Sequence, residues 1–83
     1  AGERSVSVHL PEDQAGSLRR LLHAFEHHGV SIASIHSSRT PAGEVHFRLG
    51  FEAGVTAAAL APALVQIESD GIGRVLERSA ELT

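Results

Sequence analysis

The stretch VHFRLGF, residues 45–51, decides the fold, because apolar side chains occupy every second position of it. A period of two places alternate side chains on opposite faces of a β-strand. His46, Arg48 and Gly50 therefore face away from the apolar side. We predict a strand with one buried face at this position.

The residues just before this strand predict its hairpin partner. Alternation begins again at Val30-Ser31-Ile32, and Ile35 then falls out of phase, which predicts a β-bulge or a change of buried face near Ala33-Ser34. Thr40-Pro41-Ala42-Gly43 has the composition of a turn. The two strands should therefore form a hairpin.

A helix and a further strand are predicted upstream. The helix has one apolar face at positions i, i+3, i+4 and i+7, and Gly29 should end it with a positive φ. The strand alternates up to Leu10 and stops at Pro11. The apolar residues of these two elements are Val6, Val8 and Leu10 in the strand and Leu18, Leu21, Leu22 and Phe25 in the helix.

Downstream, residues 57–67 predict a second helix with Leu60, Leu64 and Ile67 inward. Because a proline inside a helix costs about 3 kcal/mol, Pro62 predicts a kink, or a loose turn that ends at Ala61. Asp70-Gly71 should end this helix, and residues 72–78 predict a last short strand.

The predicted order β-α-β-β-α-β specifies an α+β, ferredoxin-like domain that occupies residues 1–83. In this sandwich two helices cover one face of a four-stranded antiparallel sheet. One sheet face and two strand edges stay open, and a chain of 83 residues buries little core. We therefore expect edge pairing with a second copy, giving a homodimer.

Composition narrows the function classes. The net charge is −3, and all seven basic residues are arginines. The chain therefore has no excess of positive charge with which to bind a nucleic acid or an anionic membrane. The absence of cysteine excludes disulfides and thiolate chemistry. We expect a cytoplasmic chain, and Ala1 in place of methionine suggests a domain cut from a longer protein.

No motif of an enzyme is present: there is no nucleophile elbow, phosphate loop or dinucleotide fingerprint, so we predict no catalysis by this chain and no cofactor. Six histidines raise the alternative of a metal-responsive module. His23 and His27 share a helix face at i, i+4 but would need a third ligand, and His36 and His46 would be cross-strand neighbours if their turn had three residues. A solvated polar face explains His23 and His27, and the face with His36 and His46 could meet solvent or a partner, so no metal site is predicted.

The loop at residues 11–17 is the stronger candidate site. It leads into a helix N-terminus, whose unpaired backbone N–H groups favour a carboxylate, and Gly16 has no side chain to block a ligand. From the spacing alone, a tight β–α turn capped by Asp13 or a neighbouring residue is the better explanation of this loop.

The run Leu10-Pro11-Glu12-Asp13-Gln14-Ala15-Gly16-Ser17-Leu18, with Gly29-Val30-Ser31-Ile32 after the helix, resembles the ACT domains, a family of small-molecule-binding regulatory modules. Ala15 and Ser31 replace the proline and asparagine usual there. Among ACT domains, the chain looks most like those of prephenate dehydratase, at Gly16-Ser17-Leu18, and of prephenate dehydrogenase. The dehydrogenase pattern is matched by Arg39, Gly43, Arg48, Leu49 and Phe51.

The resemblance implies a non-catalytic domain that gives feedback control to an enzyme of aromatic amino-acid biosynthesis. Tyrosine or phenylalanine would bind between the β1–α1 loop of one copy and the second strand of another, and the catalytic domain of the parent enzyme would be a further partner. The implied ligand-binding residues are Asp13, Gln14, Ala15, Gly16, Ser17, Leu18, Ser31 and Ile32. A structural dimerisation module without a ligand remains an alternative.

Overall fold

The computed structural model describes residues 4–10, 15–79 and 82. Its elements are β1 (Arg4–Leu10), α1 (Ala15–His27), β2 (Ile32–Arg39), β3 (Val45–Phe51), α2 (Ala57–Ser69) and β4 (Arg74–Arg78). The strands form one four-stranded antiparallel sheet in the order β2-β3-β1-β4. The predicted α+β, ferredoxin-like fold is thereby confirmed.

The core lies between the two helices and one face of the sheet, here called the covered face. Its central aromatic contact joins Phe25 of α1 to Phe51 of β3, with ring centroids 5.4 Å apart. Leu82, beyond the last strand, is also buried, which the sequence pattern did not predict. The fully buried large side chains are Phe25, Leu21, Leu49, Leu60, Ile67, Leu82, Val6 and Val8.

Alternation along β1 and β3 leaves the other side chains on the opposite side of the sheet, here called the open face. In register, Ser7 lies opposite Arg48 and His9 lies opposite His46. None of the helices in the described ranges packs on these residues. Since these side chains are serine, histidine and arginine, the open face is polar.

Glycine ends α1 as predicted. Gly29 has a φ of 71°, its N–H donates to the Glu26 carbonyl at 3.0 Å, and the Val30 N–H donates to the Phe25 carbonyl at 2.9 Å. This pair of hydrogen bonds is a Schellman motif. The motif turns the chain sharply, so that β2 starts only a few residues after α1 ends.

The second helix is continuous at Pro62, where the sequence predicted a kink or a loose turn. It runs without interruption through Pro62 from an N-cap at Thr56, whose side chain accepts a hydrogen bond from the Ala59 N–H at 3.1 Å. The predicted loose turn ending at Ala61 is therefore wrong. A proline costs about 3 kcal/mol, but burial of one large apolar side chain returns about 1.5–3 kcal/mol, and α2 buries Leu60, Ala63, Leu64 and Ile67.

The register of the hairpin confirms the predicted bulge. Ile32 lies opposite Phe51, and Ser34 lies opposite the neighbouring Gly50, so Ala33 is an extra residue in β2. The last strand starts at Arg74 rather than at the predicted Ile72. Ile72 is buried between the end of α2 and this strand.

Candidate functional site

The first half of the site implied by the sequence is the N-terminus of α1. Asp13 and Gln14 lie outside the described residues, and residues 15–18 form the first turn of the helix rather than part of a loop. The first-turn N–H groups of a helix have no partner within the helix, so this turn offers hydrogen-bond donors to an anion.

Gly16 is exposed in this turn, and the fold does not require a glycine there. Its φ is not positive, and a Cβ built on it would meet no atom of the described residues within 4 Å. Alanine is favoured over glycine in a helix by about 1 kcal/mol. The fold therefore gives no reason for a glycine at position 16. Its missing side chain leaves open surface next to the helix N-terminus.

The second half is the start of β2. Ser31 is exposed and Ile32 is half-buried, and both line an open groove with a volume of about 430 Å³. Pockets of about 300–1,000 Å³ hold small ligands. The groove is also lined by Leu22, Glu26, Gly29 and Val30.

Glu26 is a groove residue that the sequence reasoning missed. Its exposed carboxylate lines the groove with Ser31, which gives the groove a negative group beside a hydroxyl. The signal was present in the spacing, because Glu26 follows Leu22 by four residues on one helix face and precedes the Gly29 turn.

The two halves lie at opposite ends of the sheet within one chain. Leu10, which leads toward α1, lies opposite Val45, whereas Ile32 lies opposite Phe51 at the other end of β3. Val45 and Phe51 are six residue steps apart along β3, which is about 20 Å at about 3.3 Å per residue. One chain therefore cannot close both halves around one small ligand.

The comparison with known families assigns the chain. The sequence model of the ACT domain family matches residues 4–61, a range that includes β1, α1, β2, β3 and the start of α2. This chain belongs to the ACT domain family. ACT domains are generally regulatory, non-catalytic domains that bind amino acids. No curated protein matches the chain in a comparison of whole sequences.

In this ACT domain β2 is an edge strand, with β3 as its neighbour in the sheet. Ile35 of β2 is a large apolar side chain and is 40% exposed. An edge strand has one row of backbone N–H and C=O groups free to pair with another strand. The edge of β2 is therefore a surface on which a second strand can pair.

The histidine pairs considered in the sequence do not converge. His23 and His27 stack with ring centroids 6.3 Å apart on the exposed face of α1. The cross-strand pairing of His36 with His46 is wrong: His36 lies opposite Arg48, and His46 lies opposite Ser38. The physical reason is the length of the connection, since Arg39 pairs with Val45 and leaves five residues, 40–44, between the strands.

The register instead brings His46 to His9 and Glu44 on the open face. Ligand atoms of these three residues all lie within 4.8 Å of one another. The sequence reasoning missed this group, although the Glu-x-His spacing at residues 44–46 and the position of His9 in the alternation of β1 were visible.

Among the described residues no helix is long and apolar enough to cross a membrane.

Proposed function

We propose that this ACT domain binds tyrosine or phenylalanine and thereby gives feedback control to an enzyme of aromatic amino-acid biosynthesis. The proposed parent enzyme is prephenate dehydrogenase, and prephenate dehydratase is the second candidate. Support for the parent comes from the sequence pattern at Arg39, Gly43, Arg48, Leu49 and Phe51, which is similar to that of the dehydrogenase domains. Support for the site comes from the geometry of the two half-sites.

The observation that carries the proposal is the separation of the two half-sites. The first turn of α1 and the groove at Ser31 and Ile32 lie at opposite ends of one sheet. In a symmetric dimer a two-fold axis relates the two copies, so surfaces that are distant in one chain can face each other across the interface. Two equivalent composite sites would then form in each dimer.

The chemistry of the half-sites suits an amino acid. The first-turn N–H groups beside Gly16, which have no partner within the helix, are donors for the α-carboxylate, and Glu26 in the groove is an acceptor for the α-ammonium group. Asp13 remains a second candidate for the ammonium group. Leu18 and Ile32 are half-buried and offer apolar surface to a side chain.

Pairing through the edge of β2 is the proposed route to the dimer. The open face is an unsuitable alternative, because serine, histidine and arginine side chains of β1 and β3 face outward there and little apolar surface would be buried. A ligand held between two copies makes its affinity depend on the dimer geometry, and by linkage the ligand then changes that geometry. This coupling is what a regulatory domain has to transmit to its enzyme.

The first test is a calorimetric screen of the twenty amino acids against the full chain. We expect heat of binding with tyrosine or phenylalanine at millimolar concentration and a dimer in sedimentation velocity. Silence toward both would refute the aromatic assignment, and a dimer that binds no amino acid would favour a structural dimerisation module. The same screen on the longer parent protein controls for affinity lost when the domain is isolated.

The second test distinguishes a composite site from a site within one chain. Gly16→Val blocks the α1 half and Ser31→Phe fills the groove, so each variant alone should lose binding. After subunit exchange in an equal mixture, each mixed dimer has one intact site, and about a quarter of the wild-type sites should return. Recovery of no sites would contradict a site shared between two copies. Gly54→Val is the matched control, because Gly54 also has open space around its Cβ position and does not line the groove.

A further inference from the structure

A compact group of metal-ligand side chains lies on the open face, at the end of the sheet next to the β2–β3 connection. His9 of β1 and His46 of β3 are directly opposite each other in register, and Glu44 precedes His46 by two residues. We call His9, Glu44 and His46 the histidine–glutamate cluster. None of the amino-acid half-sites described above includes these residues.

The backbone holds the cluster in position. The antiparallel ladder of β1 and β3 fixes the two histidines, whose ring centroids are 5.2 Å apart at an interplanar angle of 83°. Glu44 is tied to Thr40 across the turn: the Thr40 N–H donates to the Glu44 carbonyl at 3.0 Å, and the Glu44 N–H donates to Thr40 Oγ1 at 3.2 Å. The two histidines therefore lie on paired strands, and the backbone of Glu44 is held in the short connection between β2 and β3.

One donor atom of the cluster is buried without a hydrogen bond. Nε2 of His9 lies 2.8 Å from Oε2 of Glu44, yet it has no partner of hydrogen-bond geometry among the described residues. A buried, unsatisfied polar atom is costly, so the environment of His9 calls for another partner at this nitrogen.

We infer that the histidine–glutamate cluster binds a divalent transition-metal ion, with the zinc ion as the representative of that class. Two imidazole nitrogens and one carboxylate oxygen are a donor set that suits zinc and its neighbours in the first row, and three protein ligands leave a coordination position for water. An ion bound by His9 and Glu44 would satisfy the buried nitrogen once the Glu44 carboxylate, now 2.8 Å from that nitrogen, moves away to make room for it.

The distances allow such an ion after a small adjustment. Two ligands that are each about 2.0–2.1 Å from a metal ion are at most about 4.2 Å apart, whereas the three ligand atoms here lie within 4.8 Å of one another. The His9 side chain is 14% exposed and the Glu44 side chain is 47% exposed. Glu44 therefore has the freedom to rotate toward an ion that the better-buried His9 positions.

Neighbouring charges affect the affinity of the histidine–glutamate cluster for a metal ion. Arg74 of β4 lies opposite His9, and Arg48 follows His46 by two residues on the same face. Both cations oppose a metal ion, while the Glu44 carboxylate attracts it, and the open face exposes all of them to solvent screening. Glu44 is the negatively charged ligand of the cluster, so its substitution should weaken binding because a ligand is lost as well as a charge.

The test is calorimetric titration of the full, metal-free chain with zinc chloride. We expect one zinc ion per chain and, at a zinc concentration about 100 times the dissociation constant, a rise in Tm of about 10 °C or more. Since loss of a mere outer-sphere partner weakens metal sites by about 10–100-fold, Glu44→Gln and His46→Gln should each weaken binding by at least about 100-fold. Unfolding curves measured in EDTA identify any variant that fails to fold.

Two matched variants keep the test specific. The double variant His23→Gln/His27→Gln removes the exposed pair on α1, and His36→Gln removes another histidine of the open face; both should bind zinc like the wild type. Binding that survives Glu44→Gln and His46→Gln, or that is lost in His23→Gln/His27→Gln, would overturn the inference. A dissociation constant above about 1 mM, which corresponds to only about 4 kcal/mol, would also overturn it. These results are independent of any amino-acid binding.

Discussion

On the covered face of the sheet, Val8 and Leu49 are completely buried, whereas on the open face their neighbours Ser7 and Arg48 face outward and line a polar surface. Packing alone explains the residue types on the covered face. On the open face packing requires no particular side chain, so a buried nitrogen beside a carboxylate needs another explanation. A functional site is therefore best sought on the open face, where core packing does not restrict the choice of side chain.

The same contrast separates two glycines. A Cβ on Gly73 would lie 2.9 Å from the His9 carbonyl oxygen and equally close to side-chain atoms of Val8 and Leu10. A Cβ on Gly16 would meet nothing within 4 Å. Gly73 is therefore required by the packing of β1, whereas Gly16 is available to a ligand.

The largest expected effect is on the covered side. Phe25→Ala should lower the free energy of unfolding by about 3–5 kcal/mol, because it removes a fully buried ring in contact with Phe51 and leaves a cavity. Urea unfolding with an unchanged m-value measures this loss. A loss below about 1 kcal/mol would contradict the position of Phe25 in the core.

An intermediate effect is expected at Gly73. Gly73→Ala should cost about 1–3 kcal/mol, because the new methyl group has to displace the backbone of His9 and the side chains beside it. The matched variant Gly16→Ala should leave stability unchanged or raise it by up to about 1 kcal/mol, as alanine favours the helix. Equal losses at the two positions would remove the distinction between a packed and an available glycine.

The smallest effect is expected on the open face. His36→Gln should change the free energy of unfolding by no more than about 0.5 kcal/mol, since the side chain is exposed and substitutions at such positions are usually near neutral. Thermal unfolding monitored by circular dichroism in EDTA measures this change. A loss of several kcal/mol would indicate that the open face is covered in solution.

Much of the fold follows from local pattern. Alternation in β1 and β3, the apolar face of α1 and the glycine at its end are all properties of residues close in sequence, and all are confirmed. The loose turn predicted to end at Ala61 was wrong because the helix there is held by burial against the core rather than by local preference. The burial of Leu82 was missed for the same reason.

The candidate sites were only partly predictable. The family pattern pointed to Gly16 and Ser31, but it did not indicate Glu26, which reaches the groove because the chain reverses at Gly29. The histidine–glutamate cluster was not predicted, since it depends on which residues of β1 and β3 face each other. A difference of two residues in the length of a turn was enough to exchange the neighbours of His46.

The sequence by itself determined the order of the elements, the position of the bulge near Ala33 and membership of a family of regulatory domains. Periodicity and turn chemistry act over a few residues, and they survive in any arrangement of the chain. The tertiary structure alone decided that the half-sites at Gly16 and Ile32 lie at opposite ends of the sheet, and that His46 meets His9. Strand pairing is a long-range choice, because each residue's neighbour is set by register and not by its place along the chain.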